Sequence, residues 1–230
     1  MTPRDGRLGV GIIGAGRVGP VLGHALGGAG HAIVGITAVS DDSRDRAEAM
    51  LPGVPILDVP ELVRRSELII LAVPETELAD LVAGLAATGA WQPGQLVVHT
   101  APGHGVGVLA PAQAQGVIPL AIHPALAFTG TSLDLARLHE SWCAVTAPAP
   151  VLPIALALVV ELGAEPVVVA EEQRAAYARA IDVATTLPAA AVQGALDSLR
   201  DAGIERPGRL LSSLVRSRID NVLQAAAGDD

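Results

Sequence analysis

Three histidines stand at or just after apolar segments in the middle of the chain, where they could exchange protons near neutral pH. They are His99, His104 and His123, within VVHTAPGHG and AIHPALAFTG. Imidazole has an ordinary pKa close to neutrality, so it suits the transfer of a hydroxyl proton. We expect His123 to be the first acid–base candidate and His104 the second, each with the alternative of a hydrogen-bonded residue that shapes its loop. His99 lies inside its predicted strand, which favours a structural role.

A glycine-rich motif near the N-terminus could approach a phosphate group closely. It reads Gly14-Ala15-Gly16-Arg17-Val18-Gly19, directly after the apolar run Leu8 to Ile13 and directly before a helical segment. In GxGxxG the first glycine permits a tight turn, the second lets a pyrophosphate approach, and the third lets the helix pack on the strand. The free N–H groups at the helix start would face the phosphates. The motif predicts a dinucleotide site; the alternative is a glycine-rich turn that binds no cofactor.

The segment after the second predicted strand bears on which nicotinamide coenzyme would bind. It runs from Ser40 to Arg46 and offers both acidic side chains and hydroxyl or arginine groups. Acids favour the ribose hydroxyls of NAD, whereas hydroxyls and arginine favour the 2′-phosphate of NADP. We expect NADP rather than NAD, held by Ser40, Ser43 and Arg44, although Arg44 could simply lie on a solvated helix face. Val73 and Pro74, at the end of the fourth predicted strand, should border the adenosine or ribose side.

Short apolar segments alternate with helical ones over the first two-thirds of the chain. Near-continuous Val, Ile and Leu strands separated by helices indicate a parallel sheet covered on both faces. The strands are predicted at Leu8 to Ile13, Ala32 to Val39, Pro55 to Leu57, Glu67 to Val73, Gln95 to Thr100, Val117 to Ile122, Trp142 to Thr146 and Pro166 to Val169. This is an α/β, doubly wound, mainly parallel pattern of the Rossmann type.

The pattern changes near residue 170, after which no strand is predicted. A helix is expected from Glu171 to Ala202, interrupted by Pro188, and a second from Pro207 to about Ala226, with Gly203 ending the first. We therefore expect a dinucleotide-binding domain over residues 1–170 and a helical segment over residues 171–230. The apolar faces of these alanine-rich helices predict a homodimer.

Composition excludes several classes of protein. The net charge is −9 and only four residues are aromatic, so nucleic acid is not an expected partner. One cysteine cannot form an internal disulfide, which is consistent with a reducing cytoplasm. No apolar run approaches the ~18 residues of a membrane span, and no HxxxH or HxH spacing suggests a zinc site. All 15 positive charges are arginine, which excludes a Walker-type phosphate loop and pyridoxal-phosphate catalysis.

Several motifs together resemble those of a known family, and the resemblance covers essentially the whole chain. They are GIIGAGRVG, LAVPETEL and the pair VVHTAPGHG and AIHPALAFTG. The sequence resembles Rossmann-like proteins of the 6-phosphogluconate dehydrogenase-like superfamily that carry a helical C-terminal domain of uncharacterised function, common in actinobacteria as NADP-dependent oxidoreductase candidates. Similarity to prephenate dehydrogenases implies that His123, before Pro124, contacts a reacting hydroxyl. The superfamily's β-hydroxyacid dehydrogenases use a lysine that this chain lacks. Ala101-Pro102 and Ala127 also replace polar or glycine residues usual in relatives.

Three functions are open at this point. The first is an NAD(P)-dependent oxidoreductase acting on a small hydroxy or keto acid, with Thr100 and Thr129 orienting the substrate beside His123 and His104. The second is a catalytically inactive NAD(P)-binding sensor or partner protein. The third is hydride exchange between NADP and a deazaflavin coenzyme, which would tolerate a missing proton relay.

Overall fold

The computed structural model describes residues 7–227, in which seven strands form one sheet in the order β2-β1-β3-β4-β5-β6-β7. The strands are β1 (Gly9–Ile13), β2 (Ala32–Thr37), β3 (Leu68–Leu71), β4 (Leu96–His99), β5 (Ile118–Pro124), β6 (Trp142–Thr146) and β7 (Glu165–Val168). The first five are parallel, β6 is antiparallel to β5, and β7 is parallel to β6. The predicted α/β, mainly parallel fold is confirmed.

Helices cover both faces of this sheet. They are α1 (Gly19–Gly28), α2 (Asp41–Met50), α3 (Val59–Arg65), α4 (Glu75–Ala87), α5 (Ala110–Gln113), α6 (Leu133–Leu138) and α7 (Leu152–Glu161). One buried cluster joins the sheet to α1, α2, α6 and α7, and another joins it to α3, α4 and α5. Alternate strand residues enter the two clusters, as with Ile12 and Ile13 in β1. A sheet buried on both faces explains the continuous apolar strands.

The strand order places a crevice at one edge of the sheet. From β1 the chain passes to β2 on one side and then to β3 on the other, so the direction of winding reverses between β1 and β3. In doubly wound folds, ligands bind beyond the carboxyl ends of the strands at this reversal. The predicted glycine loop follows β1, and Val73 and Pro74 follow β3.

One predicted strand is wrong. Pro55 to Leu57 makes a single bridge, Ile36 to Ile56, at the outer side of β2. The Ile36 N–H donates to Pro55 O and the Leu57 N–H donates to Ile36 O, at 3.1 and 3.0 Å. A proline has no N–H for a ladder, so the pairing does not extend. The fourth, fifth and sixth predicted strands are therefore β3, β4 and β5.

The chain divides into two compact units, the first ending at Ala178 and the second beginning at Arg179. The second unit contains most of α8 (Arg174–Asp201) and all of α9 (Pro207–Ala227). Pro188 lies inside α8, which continues past it over 28 residues in all. The kink expected at this proline stays a prediction. Gly203, with φ +82°, donates to Arg200 O and ends α8 as predicted. The domain boundary at residue 170 stays a prediction.

Within residues 7–227 no helix combines the length and the apolar character needed to cross a bilayer.

Candidate functional site

The glycine loop has two positions where the fold itself requires glycine. Gly14 has φ +109°, and a Cβ there would collide with the carbonyl oxygen of Ala72 at the end of β3. A Cβ on Gly19 would collide with the Gly14 carbonyl oxygen, so α1 can begin this close to β1 only with glycine. The Gly14 N–H donates to Thr37 Oγ1 at 3.0 Å, which joins the ends of β1 and β2. These contacts fix the loop at the reversal point of the sheet.

Gly16 differs from both, because nothing in the described structure requires its lack of a side chain. Apart from the adjoining residues Ala15 and Arg17, no heavy atom lies within 4 Å of the position that a Cβ on Gly16 would take, and Gly16 is exposed. The space in front of Gly16 adjoins the start of α1, a helix of ten residues. A helix N-terminus presents unpaired N–H groups and a partial positive charge, which suits a phosphate. The loop therefore fits the pyrophosphate of a dinucleotide.

The segment after β2 uses its predicted serines to begin α2. Ser40 caps the helix by accepting the Ser43 N–H at 3.2 Å, and the Ser43 hydroxyl donates to Ser40 O at 2.7 Å. Ser43 is buried, whereas Arg44 is exposed in the first turn. Arg46 instead reaches the glycine loop and donates from Nε to Ala15 O at 3.3 Å. Of the three residues predicted to hold the adenosine end, Arg44 has a charged side chain that remains exposed.

A loop after β5 lies against the glycine loop, and a buried carboxylate builds it. Asp134 in α6 accepts the backbone N–H groups of Thr129 and Gly130 at 2.7 and 2.8 Å, and the Thr129 hydroxyl at 2.9 Å. A Cβ on Gly130 would approach Arg17 Cα to 3.2 Å and Arg46 Cδ to 2.9 Å. Burial favours a raised pKa for Asp134, but the hydrogen bonds from Gly130 and Thr129 hold that pKa below its ordinary value.

His99 is a fully buried hydrogen-bonding residue at the end of β4. Its Nδ1 accepts the Ala101 N–H at 3.3 Å, so Nε2 carries the proton and donates to Gly105 O at 2.8 Å. Burial lowers the pKa of His99 to about 4, so the ring is neutral at pH 7. Thr100 beside it donates its backbone N–H and its hydroxyl to Leu71 O, at 3.2 and 3.4 Å.

Two carboxylates from distant parts of the chain hold the loop that follows β4. Glu75, at the start of α4, accepts the Gly103 N–H at 3.0 Å and lies 3.6 Å from His104 Nε2. Glu171 accepts the N–H groups of Val106 and Gly107 at 2.7 and 2.9 Å. His104 is therefore partly exposed at the carboxyl edge of the sheet, beside an acid.

His123, near the end of β5, contacts the beginning of α8. Its Nδ1 lies 2.8 Å from the Tyr177 hydroxyl, and the two rings meet edge-on at a centroid distance of 5.6 Å. Burial and the Arg174 cation lower the pKa of His123 to about 4. Arg174 itself is buried, and its Cζ lies 5.9 Å from the centre of the Tyr177 ring.

The structure thus places the predicted residues at or after the carboxyl ends of the five parallel strands, β1 to β5. The glycine loop meets Val73, whose Cγ1 would lie 3.5 Å from a Cβ on Gly14. The loop with Thr129 and Gly130 rests on the glycine loop. His104 lies in the loop after β4, and His123 lies near the end of the neighbouring strand β5. Sequence reasoning missed Asp134, Glu171, Arg174 and Tyr177 as site residues. The local sequence pattern that could have drawn attention to them is the spacing of Arg174 and Tyr177. Residues three positions apart lie on one face of a helix, here at its start.

The fold and the loop define a doubly wound α/β domain of the Rossmann type, followed by a helical segment. Residues 2–124 match the family described as a Rossmann-like domain, and the chain belongs to it. Residues 141–229 match a domain of unknown function, DUF2520. The resemblance found in the sequence, to Rossmann-like proteins with a helical C-terminal domain of uncharacterised function, is confirmed.

Solved structures with this fold share little sequence with the chain. A Bacteroides fragilis protein provisionally assigned as an NADP oxidoreductase has a TM-score of 0.77 and 19% identity, over 94% of this chain and 80% of that one. An imine reductase from Pseudomonas sp. has a TM-score of 0.69 and 18% identity, over 96% and 77%. Plasmodium falciparum pyrroline carboxylate reductase with NADP bound has a TM-score of 0.60 and 12% identity, over 94% and 78%. No curated protein matches the chain.

Proposed function

We propose that this protein is an NAD(P)-dependent oxidoreductase acting on a small hydroxy or keto acid. The observation that carries the proposal is the open space in front of Gly16, at the start of α1 and at the reversal point of the sheet. The names of the similar solved structures, which include an NADP oxidoreductase candidate and an NADP-bound reductase, support a nicotinamide coenzyme.

The residues present fit such a coenzyme. The pyrophosphate is held by the loop Gly14-Ala15-Gly16-Arg17-Val18-Gly19, the adenosine end by Ser40, Ser43 and Arg44, and Val73 with Pro74 borders the ribose. When bound, the coenzyme supplies or accepts a hydride. His123 and His104 handle the accompanying proton at the carboxyl edge of the sheet, and Thr100 and Thr129 orient the substrate there.

Gly16→Asp should weaken NADPH binding by at least about 100-fold. A carboxylate on this loop would occupy the free space and repel the pyrophosphate, and like charges brought together cost several kcal/mol. The free energy of unfolding should change little, because Gly16 is exposed and a Cβ added there has open space around it. Titration of NADPH and NADH fluorescence measures the affinity, and urea unfolding measures the stability.

Gly84→Asp is the matched control for this substitution. Gly84 is an exposed residue of α4, and a Cβ there also meets nothing within 4 Å, so the same charge is added away from the site. Affinity should be unchanged in this variant. If wild-type protein binds neither coenzyme below about millimolar concentration, the proposed function fails.

We propose NADP as the preferred coenzyme, with Arg44 on the 2′-phosphate. The three residues between the end of β2 and Asp41 are Ala38, Val39 and Ser40, none of them acidic. An acid at this point would accept hydrogen bonds from the ribose hydroxyls and favour NAD. A hydrogen bond to a charged group contributes about 1.5–3 kcal/mol, so Arg44→Ala should weaken NADPH binding about 10- to 100-fold and leave NADH binding unchanged. Arg64→Ala, at an exposed position of α3, is the charge-matched control. Equal losses for both coenzymes would contradict the assignment.

A catalytically inactive NAD(P)-binding protein is the second candidate, favoured by the low pKa of His123, which leaves no imidazolium donor at neutral pH. A screen of 2-oxo acids with NADPH separates the two candidates. Turnover assigns an enzyme, and coenzyme binding without turnover of any acid favours the second candidate.

We propose that the second unit associates with a second copy of the chain. Apolar side chains remain exposed along α8 and α9 within this unit, among them Leu187, Leu214 and Leu223, each more than 60% accessible. Exposed apolar surface of this extent marks association sites. A mass equal to one chain, by light scattering at micromolar concentration, would contradict a homodimer.

A further inference from the structure

Arg174 is a buried cation whose hydrogen bonds all go to neutral oxygens. Nε donates to Thr146 Oγ1 at 2.7 Å, and Nη2 donates to Ala121 O and Ala144 O at 3.0 and 3.1 Å. The side chain is 1% exposed, and Nη1 has no hydrogen-bond partner within the described structure. A buried charge without an opposite charge is costly, so a negative charge that formed beside Arg174 would be stabilised by it.

The two acids that precede Arg174 most closely, Glu171 and Glu172, form no ion pair with it. Glu171 lies one turn earlier, but it is exposed and its carboxylate is engaged by the N–H groups of Val106 and Gly107. No ion pair joins Arg174 to a carboxylate within residues 7–227 under a 4 Å limit. The positive charge of the Arg174 guanidinium would therefore strongly attract, and so stabilise, an anion that formed beside it.

Tyr177 is the group placed to become that anion. Its ring lies 5.9 Å from Arg174 Cζ, and its hydroxyl lies 2.8 Å from His123 Nδ1. The tyrosine is therefore in contact with a histidine and close to a cation that has no ion-pair partner among the described residues and feels the charge of Glu171 only from a distance. It lies at the edge of the sheet where the proposed substrate binds. A phenol in this setting can release its proton as tyrosinate and regain it from the imidazole.

We propose that Tyr177 donates the proton in the reductive direction, that His123 restores it, and that Arg174 stabilises the tyrosinate between these steps. Tyr177 is the catalytic residue in this scheme, and His123 and Arg174 act through it. The inference rests on the proposed function and specifies how the proton reaches the substrate.

The proton transfers balance without a further reactant. The reduced nicotinamide provides the hydride for the substrate carbon, and the Tyr177 Oη–H bond breaks as the substrate oxygen takes its proton. Tyrosinate then takes the proton from His123 Nδ1, and Nε2 of the same ring takes one from water. Exchange of ring protons with solvent returns His123 to the tautomer that carries its proton on Nδ1. The net supply is one proton from solvent, and the reverse sequence oxidises the alcohol.

The charges around Tyr177 and His123 agree with Tyr177 as the proton donor and His123 as the group that restores its proton. Burial raises the pKa of Tyr177 and Arg174 opposes that rise, so the phenol holds its proton at neutral pH and can donate it. His123 is neutral there, with a pKa of about 4, so it serves better as a relay than as an imidazolium donor. Other titratable groups close to Tyr177, His123 and Arg174 are Glu171, His99 and Cys143, whose thiol pKa is raised to about 12 by burial.

The chain contains a single tyrosine, so its ionisation can be followed without a substrate. Absorbance at 295 nm, or the signal of ring-labelled tyrosine in NMR, is titrated in the full chain over the alkaline range in which circular dichroism is unchanged. Arg174→Gln should raise the midpoint for Tyr177 by about one pH unit, and Arg174→Lys should keep it near the wild-type value. A midpoint unmoved by Arg174→Gln would overturn the role of Arg174. If that variant does not fold, the wild type and Arg174→Lys are compared with His123→Ala, which should also shift the midpoint.

Turnover is tested with glyoxylate as the probe and NADPH as the reductant. Tyr177→Phe should lower the single-turnover rate at least about 100-fold and leave the Kd for NADPH unchanged. His123→Ala should lower the rate less and recover with added imidazole. A rate near that of the wild type in Tyr177→Phe would mean that His123 meets the substrate directly, and would overturn the inference. Failure of NADPH to bind would instead overturn the proposed function. The titration of Tyr177 needs neither coenzyme nor substrate, so it tests the role of Arg174 separately.

Discussion

Asp134→Ala should lower the free energy of unfolding by about 3 kcal/mol and weaken coenzyme binding at the same time. The carboxylate is fully buried and accepts the backbone N–H groups of Thr129 and Gly130 together with the Thr129 hydroxyl. Alanine would leave two backbone donors without their partner, and each buried unsatisfied group costs about 1–3 kcal/mol. Affinity should fall because Gly130 rests on Arg17 and Arg46, so a loosened loop no longer supports the glycine loop.

Urea unfolding and NADPH titration on the same samples measure the two effects. Asp197→Ala is the control, because Asp197 is an exposed acid of α8 bonded to Gln193 and Arg200. Exposed substitutions of this kind change stability by about 0.5 kcal/mol or less. Asp134→Asn keeps one oxygen acceptor, so its free energy of unfolding should lie between those of Asp134→Ala and Asp197→Ala. Equal stability of Asp134→Ala and Asp197→Ala would show that the loop does not depend on its buried carboxylate.

The features predicted well from sequence are those set by neighbouring residues. The glycine loop is a local pattern of strand, turn and helix, and the structure has β1 ending at Ile13 and α1 beginning at Gly19, on either side of that loop. Pro55 to Leu57 shows the limit of this reasoning. Its composition suits a strand, but whether it pairs depends on N–H groups that Pro55 lacks and on β2 lying at the edge of the sheet.

The candidate site was predicted less completely, because its contacts join residues far apart in the chain. Tyr177 is 54 positions from His123, and Glu171 is 65 positions from the Val106 N–H that it accepts. No spacing rule connects such pairs. Ser40 and Ser43 illustrate the opposite difficulty, since hydroxyls suited to a phosphate also suit the start of a helix, and their observed hydrogen bonds serve α2. Burial decides between such roles, and burial is a property of the folded chain.

Acid should destabilise the protein between about pH 6.5 and pH 4 through its buried histidines. Burial holds the pKa of His99 and of His123 at about 4, against 6.5 as the ordinary value. In this pH range the unfolded chain binds protons at these positions and the folded chain does not. The unfolding free energy therefore falls as the pH falls. One pKa unit corresponds to about 1.4 kcal/mol, so the contribution of His99 is at most roughly 3 kcal/mol.

His99→Gln tests this directly, because a glutamine amide can still donate to Gly105 O but cannot take up a proton. Unfolding free energies at pH 7.5, 6, 5 and 4 should fall less steeply in the variant than in the wild type. The two curves should be parallel above pH 7, where the histidine is neutral in both states. The physical cause is visible at Nδ1, which accepts the Ala101 N–H and would have to give up that bond to be protonated. Parallel curves down to pH 4 would mean that His99 gains its proton inside the folded protein, and the neutral ring bridging Ala101 and Gly105 would then be the wrong description.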